Sequence, residues 1–267
     1  MTSIRPLTSV DDIFKPFFEG PVGEGGLPAG IYITRPIVGN SSARRIEDLF
    51  RPEDDPTGKR AMREGGKYYT EGMSFGDPAD AQKRIDCFRA AELLYRFAER
   101  TGLIEAFTCL GYVYSYDRCE GMYWRGVDCF GMEAELPAYP REERACECYR
   151  VAAEAGDAES MYKYGDMLLH GRGCEKDAES AFMWFKRAYL DGQDWPVVWG
   201  SAALRMATCY EEGEGADASP EQALRWYKQA EIGLDLAVRE GESWYRGAWR
   251  GAKAGIERMR QELSGEY

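Results

Sequence analysis

The feature that most constrains this chain is a spacing rather than a composition. In Ser160 to Gly192, SMYKYGDMLLHGRGCEKDAESAFMWFKRAYLDG, a small residue opens, Tyr164-Gly165 and Leu168 follow, and Gly171-Arg172-Gly173 breaks the run. Asp177, Ala181, Trp184-Phe185, Ala188 and Gly192 complete the pattern. Apolar and small residues at intervals of three and four predict one helix on either side of the glycine break. Small residues are needed where the two helices approach closely, and large ones where neighbouring pairs leave volume to fill. Gly171 and Gly173 suit the left-handed turn that ends a helix, and the Asp177 carboxylate is placed to cap the next one.

The frame recurs on both sides. Downstream it reads Ala202, Met206-Ala207, Tyr210, Gly213-Glu214-Gly215, Ala223, Trp226-Tyr227 and Ala230, with Ser219-Pro220-Glu221-Gln222 spelling a capping box. Upstream, Ala106, Leu110-Gly111 and Tyr114 match the first helix, and Ala145, Cys148-Tyr149, Ala152-Ala153 and Gly156 the second. A weaker copy runs through Ala61, Gly65-Gly66, Tyr69, Gly72, Ala91, Leu94-Tyr95, Ala98 and Gly102. A helix pair buries its apolar face only against its neighbours, and four copies meet the usual need for about three. In the second copy Asp117 and Cys119 replace both turn glycines, and an insertion, Glu120 to Glu143, stands where a short turn is expected.

This pattern resembles the Sel1-like repeat family, relatives of tetratricopeptide repeats. The resemblance implies an all-α fold: a right-handed α/α superhelical solenoid of about four helix pairs, with an irregular N-terminal extension and a C-terminal capping helix. The expected divisions are residues 1–60 for the extension, 61–241 for the solenoid with its insertion at 120–143, and 242–267 for the cap. Within the extension, Thr8 to Phe18 suggests a short helix and IYITRPIVG a short strand or extended segment. The stripe Ile85, Phe88, Leu93, Leu94 and Phe97 is expected to be core.

Charge and motifs narrow the function. With 34 Lys plus Arg against 46 Asp plus Glu, the chain carries a formal charge of −12, which argues against nucleic acid or an anionic membrane as partner. No run of about 18 apolar residues predicts a membrane span. The start, MTSIRPLTSVDD, lacks the pattern of a secretory signal, so a cytoplasmic location is expected. The eight cysteines do not fall at the regular positions of the disulfide-bridged branch of the family and read as buried thiols. Paired CxxC knuckles are missing, and no metal or other cofactor is expected. The single histidine, His170, weakens any mechanism that needs a His base. Ser160-Met161-Tyr162-Lys163 spells SxxK, yet Ser160 occupies the small packing position of the repeat and no SDN or KTG partner exists.

In tetratricopeptide-like stacks the first helices line a concave face. Carrying those positions onto the four copies selects Arg63, Lys67, Tyr112, Tyr116, Tyr162, Asp166, His170 and Glu211 as the candidate groove, basic at one end, aromatic in the middle and acidic at the other. Tyrosines offer rigid contact area, and charged ends would orient an extended or helical polypeptide. The expected function is a non-catalytic adaptor or scaffold that binds a protein or peptide there. Two alternatives stay open: β-lactam-binding or hydrolase-like activity, as in the cysteine-rich branch, and an immunity-type inhibitor of a partner protein.

Overall fold

Helix boundaries follow the glycine and capping residues closely. The computed structural model describes residues 32–33, 44–45, 55–118 and 141–265. Within the extension, β1 (Tyr32–Ile33) pairs antiparallel with β2 (Arg44–Arg45). The short helix expected over Thr8 to Phe18 lies outside the described residues. Helices α1 (Lys59–Ser74), α2 (Ala81–Arg100), α3 (Ile104–Ser115) and α4 (Arg141–Glu154) come next. They are followed by α5 (Ala158–His170), α6 (Ala178–Asp191), α7 (Pro196–Glu212), α8 (Pro220–Arg239) and α9 (Arg246–Ser264).

The chain divides into two compact units, residues 1–148 and 149–267, the division falling within α4. In unit 1, α1 packs on α2 and α2 on α3. In unit 2, α5 packs on α6, α6 on α7, α7 on α8 and α8 on α9, while α7 also touches α5 and α9. Consecutive antiparallel pairs of this kind are the architecture that the repeat spacing predicts.

Burial follows the repeat frame residue by residue. The four opening positions, Ala61, Ala106, Ser160 and Ala202, are each 0% exposed. So are both small positions of every second helix: Ala91 and Ala98, Ala145 and Ala152, Ala181 and Ala188, Ala223 and Ala230. The aromatic between them, Tyr95, Tyr149, Phe185 or Tyr227, is buried in all four. Glycine at the middle of a first helix is a packing requirement. A Cβ on Gly65 would stand 2.8 Å from the Tyr95 ring, and one on Gly165 would stand 2.5 Å from the Phe185 ring.

Capping explains where helices start. Asp177 accepts from the Ser180 amide at 3.0 Å, and Ser219 Oγ accepts from the Gln222 amide at 3.3 Å with Pro220 at the first helical position. Helix α1 is capped from a distance, its Ala61 amide donating to the buried Asp55 carboxylate at 2.8 Å. Asp77 caps a 3-10 turn, Pro78–Asp80, that leads into α2. Two expectations shift. The final helix begins at Arg246 after a second such turn, Ser243–Tyr245. Residues 141–143, assigned to the insertion, already belong to α4, because Glu142 and Glu143 favour a helix's first turn. The rest of the insertion lies outside the described residues.

Of the core stripe on α2, Ile85, Phe88, Leu94 and Phe97 are buried as expected. Cys87, Cys146, Cys148 and Cys209 are buried thiols, and burial pushes Cys209 up to about 12 and Cys148 well above its ordinary value. Such thiols are poor nucleophiles.

Candidate functional site

In unit 2 the first helices α5, α7 and α9 carry a row of charges that hold one another. Arg205 of α7 forks onto Asp166 of α5, with Nε to Oδ1 at 2.8 Å and Nη2 to Oδ2 at 2.6 Å, and its Nη1 reaches the Ser201 carbonyl at 3.3 Å. One helix further, Arg258 of α9 forks onto Glu211 of α7, at 2.8 Å to Oε1 and 2.9 Å to Oε2. The Tyr227 hydroxyl donates to the same Glu211 carboxylate. Bidentate pairs of this geometry fix both planes as well as adding charge-assisted bonds.

The electrostatics agree with the geometry. Burial alone would lower Arg205, but Asp166 beside it outweighs this and raises it. Arg258 and Tyr227 hydrogen-bond to Glu211 and hold its carboxyl below the ordinary value despite partial burial. Burial, reinforced by Glu211, pushes Tyr227 up to about 12, so it donates as a neutral phenol.

Tyr162 lies beneath this row and is only 1% exposed. The Arg205 guanidinium sits 5.0 Å from its ring centroid and Lys163 Nζ 5.1 Å, while its hydroxyl meets that of Tyr245 at 3.3 Å. Tyr162 therefore acts as a floor that supports Arg205. His170 is exposed, and its Nδ1 donates to the Asp166 carbonyl at 2.8 Å.

Unit 1 holds the other candidates. Arg63 and Lys67 are exposed on α1, both beside Glu64, at 3.6 and 2.9 Å. Tyr112 and Tyr116 stack, with centroids 5.8 Å apart and planes 9° from parallel, and Tyr116 is 51% exposed. The candidates thus form a linked row in unit 2, centred on Asp166 and Glu211, and two local groups in unit 1.

Sequence reasoning missed Arg205, Arg258, Tyr227 and Tyr245. Arg205 falls three residues after Ala202, an offset outside the groove positions, although opposite charges on successive first helices were a usable signal. Arg258 falls in the stretch expected to be the C-terminal capping helix. Yet it stands six residues after the buried Ala252, the offset of Asp166 from Ser160.

The row offers donors, acceptors and ring edges without pairing a nucleophile with a base. Ser160, the residue of the SxxK match, is 0% exposed on the buried side of α5. Among the described residues no cluster of His, Cys, Asp and Glu is arranged to hold a metal ion, and no helix is long and apolar enough to cross a membrane.

Comparison with known proteins finds similarity over part of the chain. The Sel1 repeat model matches residues 120–157, 158–193 and 200–231. The first match covers the insertion and α4 rather than starting at Ala106, and the α1 and α2 pair lies upstream of all three. Over 123 residues the chain is 30% identical to the chitin synthase regulator SKT5 of Saccharomyces cerevisiae, a stretch that is 45% of this chain and 16% of that protein. A Sel1 repeat protein from Oxalobacter formigenes superposes with a TM-score of 0.46 at 20% identity, covering 72% of this chain and 64% of that one. The protective antigen c5321 of uropathogenic Escherichia coli strains, which displays an SLR fold, gives 0.36 at 16% identity, with 78% and 46% covered. The chain therefore spans less than two-thirds of each of these relatives. The Sel1 repeat model thus falls on three stretches between residues 120 and 231, and this part of the chain is similar to Sel1 repeats, with the described small and aromatic repeat positions buried.

Proposed function

We propose that this protein is a non-catalytic adaptor that binds a protein or peptide partner in the cytoplasm through the first-helix faces of its repeats. Sel1 repeats are commonly protein–protein interaction modules, which supports the reading. The observation that carries it is the Asp166–Arg205 and Glu211–Arg258 row of unit 2. Its arginines are locked by bidentate pairing and tyrosine contacts yet keep exposure, 25% for Arg205 and 53% for Arg258. Interfaces enrich arginine and tyrosine, and a side chain held in place before binding loses less entropy on association. Arg63, Lys67, Tyr112 and Tyr116 are the corresponding contacts of unit 1, and His170 extends the unit 2 row. Similarity to a protein named as a regulator of an enzyme is consistent with a role exercised on a partner.

The test is affinity capture from the native lysate with wild type and with Lys253→Glu plus Arg258→Glu, two exposed positions on α9. A partner retained near one-to-one by wild type and lost by the variant, with an unchanged helical circular dichroism signal, is the expected result. Equal retention, or no saturable partner, would remove the row from the binding face.

A further inference from the structure

The end of α3 departs from the repeat in a way that builds a cavity within unit 1. Asp117-Arg118 stands where the other repeats have Gly171-Arg172 and Gly213-Glu214. Asp117 nevertheless adopts the glycine conformation, with φ at 46° against 64° and 71° for the two glycines. The Arg118 amide closes the helix on the Val113 carbonyl at 3.0 Å. A left-handed backbone at a non-glycine residue is costly and persists where the surroundings impose it.

Those surroundings are three aromatic rings around Arg118. Its guanidinium carbon lies 5.0 Å from the Tyr116 centroid, 5.5 Å from that of Phe88 and 5.6 Å from that of Tyr69. Its Nε donates to the Tyr69 hydroxyl at 3.0 Å. Burial raises Tyr69 above its ordinary value, so the acceptor is a neutral phenol and does not cancel the charge. Beside this cage opens a cavity of about 310 Å³, lined by Phe75, Phe88 and Tyr116 together with Arg84, Asp117 and Arg118. Gly72 lets the Phe88 ring of this lining lie close to α1, since a Cβ there would stand 3.0 Å from it.

Cation–π contact replaces part of the water that Arg118 has lost, but ring faces cannot accept the four N–H bonds of its two terminal nitrogens. Among the described residues no carboxylate lies within ion-pair distance of Arg118, and its one hydrogen bond uses Nε. A planar guanidinium held rigid with its fork unengaged matches a carboxylate in two-point contact. The second arginine of the lining adds to the attraction, the single acid makes a dianion less suitable, and the ring-lined side accepts an apolar stem. We propose that this cavity binds a carboxylate carried on an apolar or aromatic stem. All its residues belong to unit 1, and the site holds whether or not the unit 2 face binds a protein.

The experiment titrates the full chain with 3-phenylpropionate, with neutral 3-phenylpropionamide and with inorganic phosphate, following ligand resonances by NMR. The acid binds saturably, and the amide at least about tenfold more weakly, as expected for loss of charge-assisted bonds. Arg118→Gln weakens the acid by a similar factor, and Lys176→Gln, an exposed position of unit 2 outside the lining, leaves it unchanged. Arg84→Gln leaves the ring cage intact and gives a second reading if Arg118→Gln does not fold. An octapeptide ending in phenylalanine, free or amidated at its C-terminus, separates the sources of the carboxylate. Tighter binding of the free-ended peptide than of 3-phenylpropionate assigns the carboxylate to a protein terminus, and weaker binding assigns it to a small acid. Equal binding of acid and amide, binding of phosphate alone, or an acid affinity that Arg118→Gln and Arg84→Gln both leave unchanged would overturn the proposal.

Discussion

The two units share one repeat frame and treat charge in opposite ways. Unit 1 buries it: Glu92, Arg96 and Glu99 of α2 and Arg144 and Glu147 of α4 are all less than a tenth exposed. There Arg96 pairs with Glu92 and donates to Tyr114 Oη at 2.9 Å, and that hydroxyl donates to Glu92 at 3.0 Å. Unit 2 buries no charged side chain among its described residues, and its bidentate pairs lie on the first-helix face. The repeat dictates where small and aromatic residues go, and leaves the polar positions to be settled by what covers them. A buried pair stands only if every member is satisfied, whereas a half-exposed pair can lose a partner and be rescued by water.

The comparison breaks most visibly at Arg96. Arg96→Met leaves Glu92 buried without its cation and should cost about 3–5 kcal/mol in urea denaturation. Arg205→Met in unit 2 should cost about 1 kcal/mol, since Asp166 keeps partial access to solvent. The shared frame predicts the converse. Gly65→Ala in unit 1 and Gly165→Ala in unit 2 each press a methyl onto the facing aromatic, and should cost about 1–3 kcal/mol alike. A large difference between them would show that the frame is not equally strict in the two units.

Turn chemistry gives a smaller effect of opposite sign. Asp117→Gly should stabilise by about 0.5–1 kcal/mol, because glycine adopts positive φ without the penalty that a side chain brings, while Gly213→Asp should destabilise. Thermal unfolding of both variants checks the pair of signs.

The smallest effect is in acid. Glu211 has a folded pKa below its ordinary value of 4.5, so its contribution is present above that value and is lost as pH falls through the folded pKa. Glu211→Gln should therefore flatten the fall of Tm below about pH 4.5. A slope identical to wild type would mean that the Arg258 pairing does not persist in solution.

Much of the fold was legible because small residues have few reasons to recur at fixed spacing except close packing. Ala61, Ala106, Ser160 and Ala202 announced their burial in the sequence, and Asp177 and Ser219 announced the helix starts. The charge network of unit 1 was not legible. Glu92, Arg96 and Glu99 lie at i, i+4 and i+7, which in a sequence reads as a solvated, salt-bridged face. Only the packing of α3 on α2 and the burial of these side chains show that this face turns inward. The charged row of unit 2 was half legible. Asp166 and Glu211 lie on first helices, as their spacing predicts, but each takes its arginine partner from the following first helix, a pairing that no single repeat displays. Tyr162 reads as a contact residue by position and lies buried because Arg205 covers it.

The measurement that tests the contrast most directly is a pair of double-mutant cycles under one set of conditions. One combines Glu92→Gln with Arg96→Met, and the other Asp166→Asn with Arg205→Met, with stability read from urea denaturation. The account predicts a coupling of about 2–3 kcal/mol for the buried pair and below about 1 kcal/mol for the face pair. Equal coupling in the two cycles, or a larger value in unit 2, would contradict it.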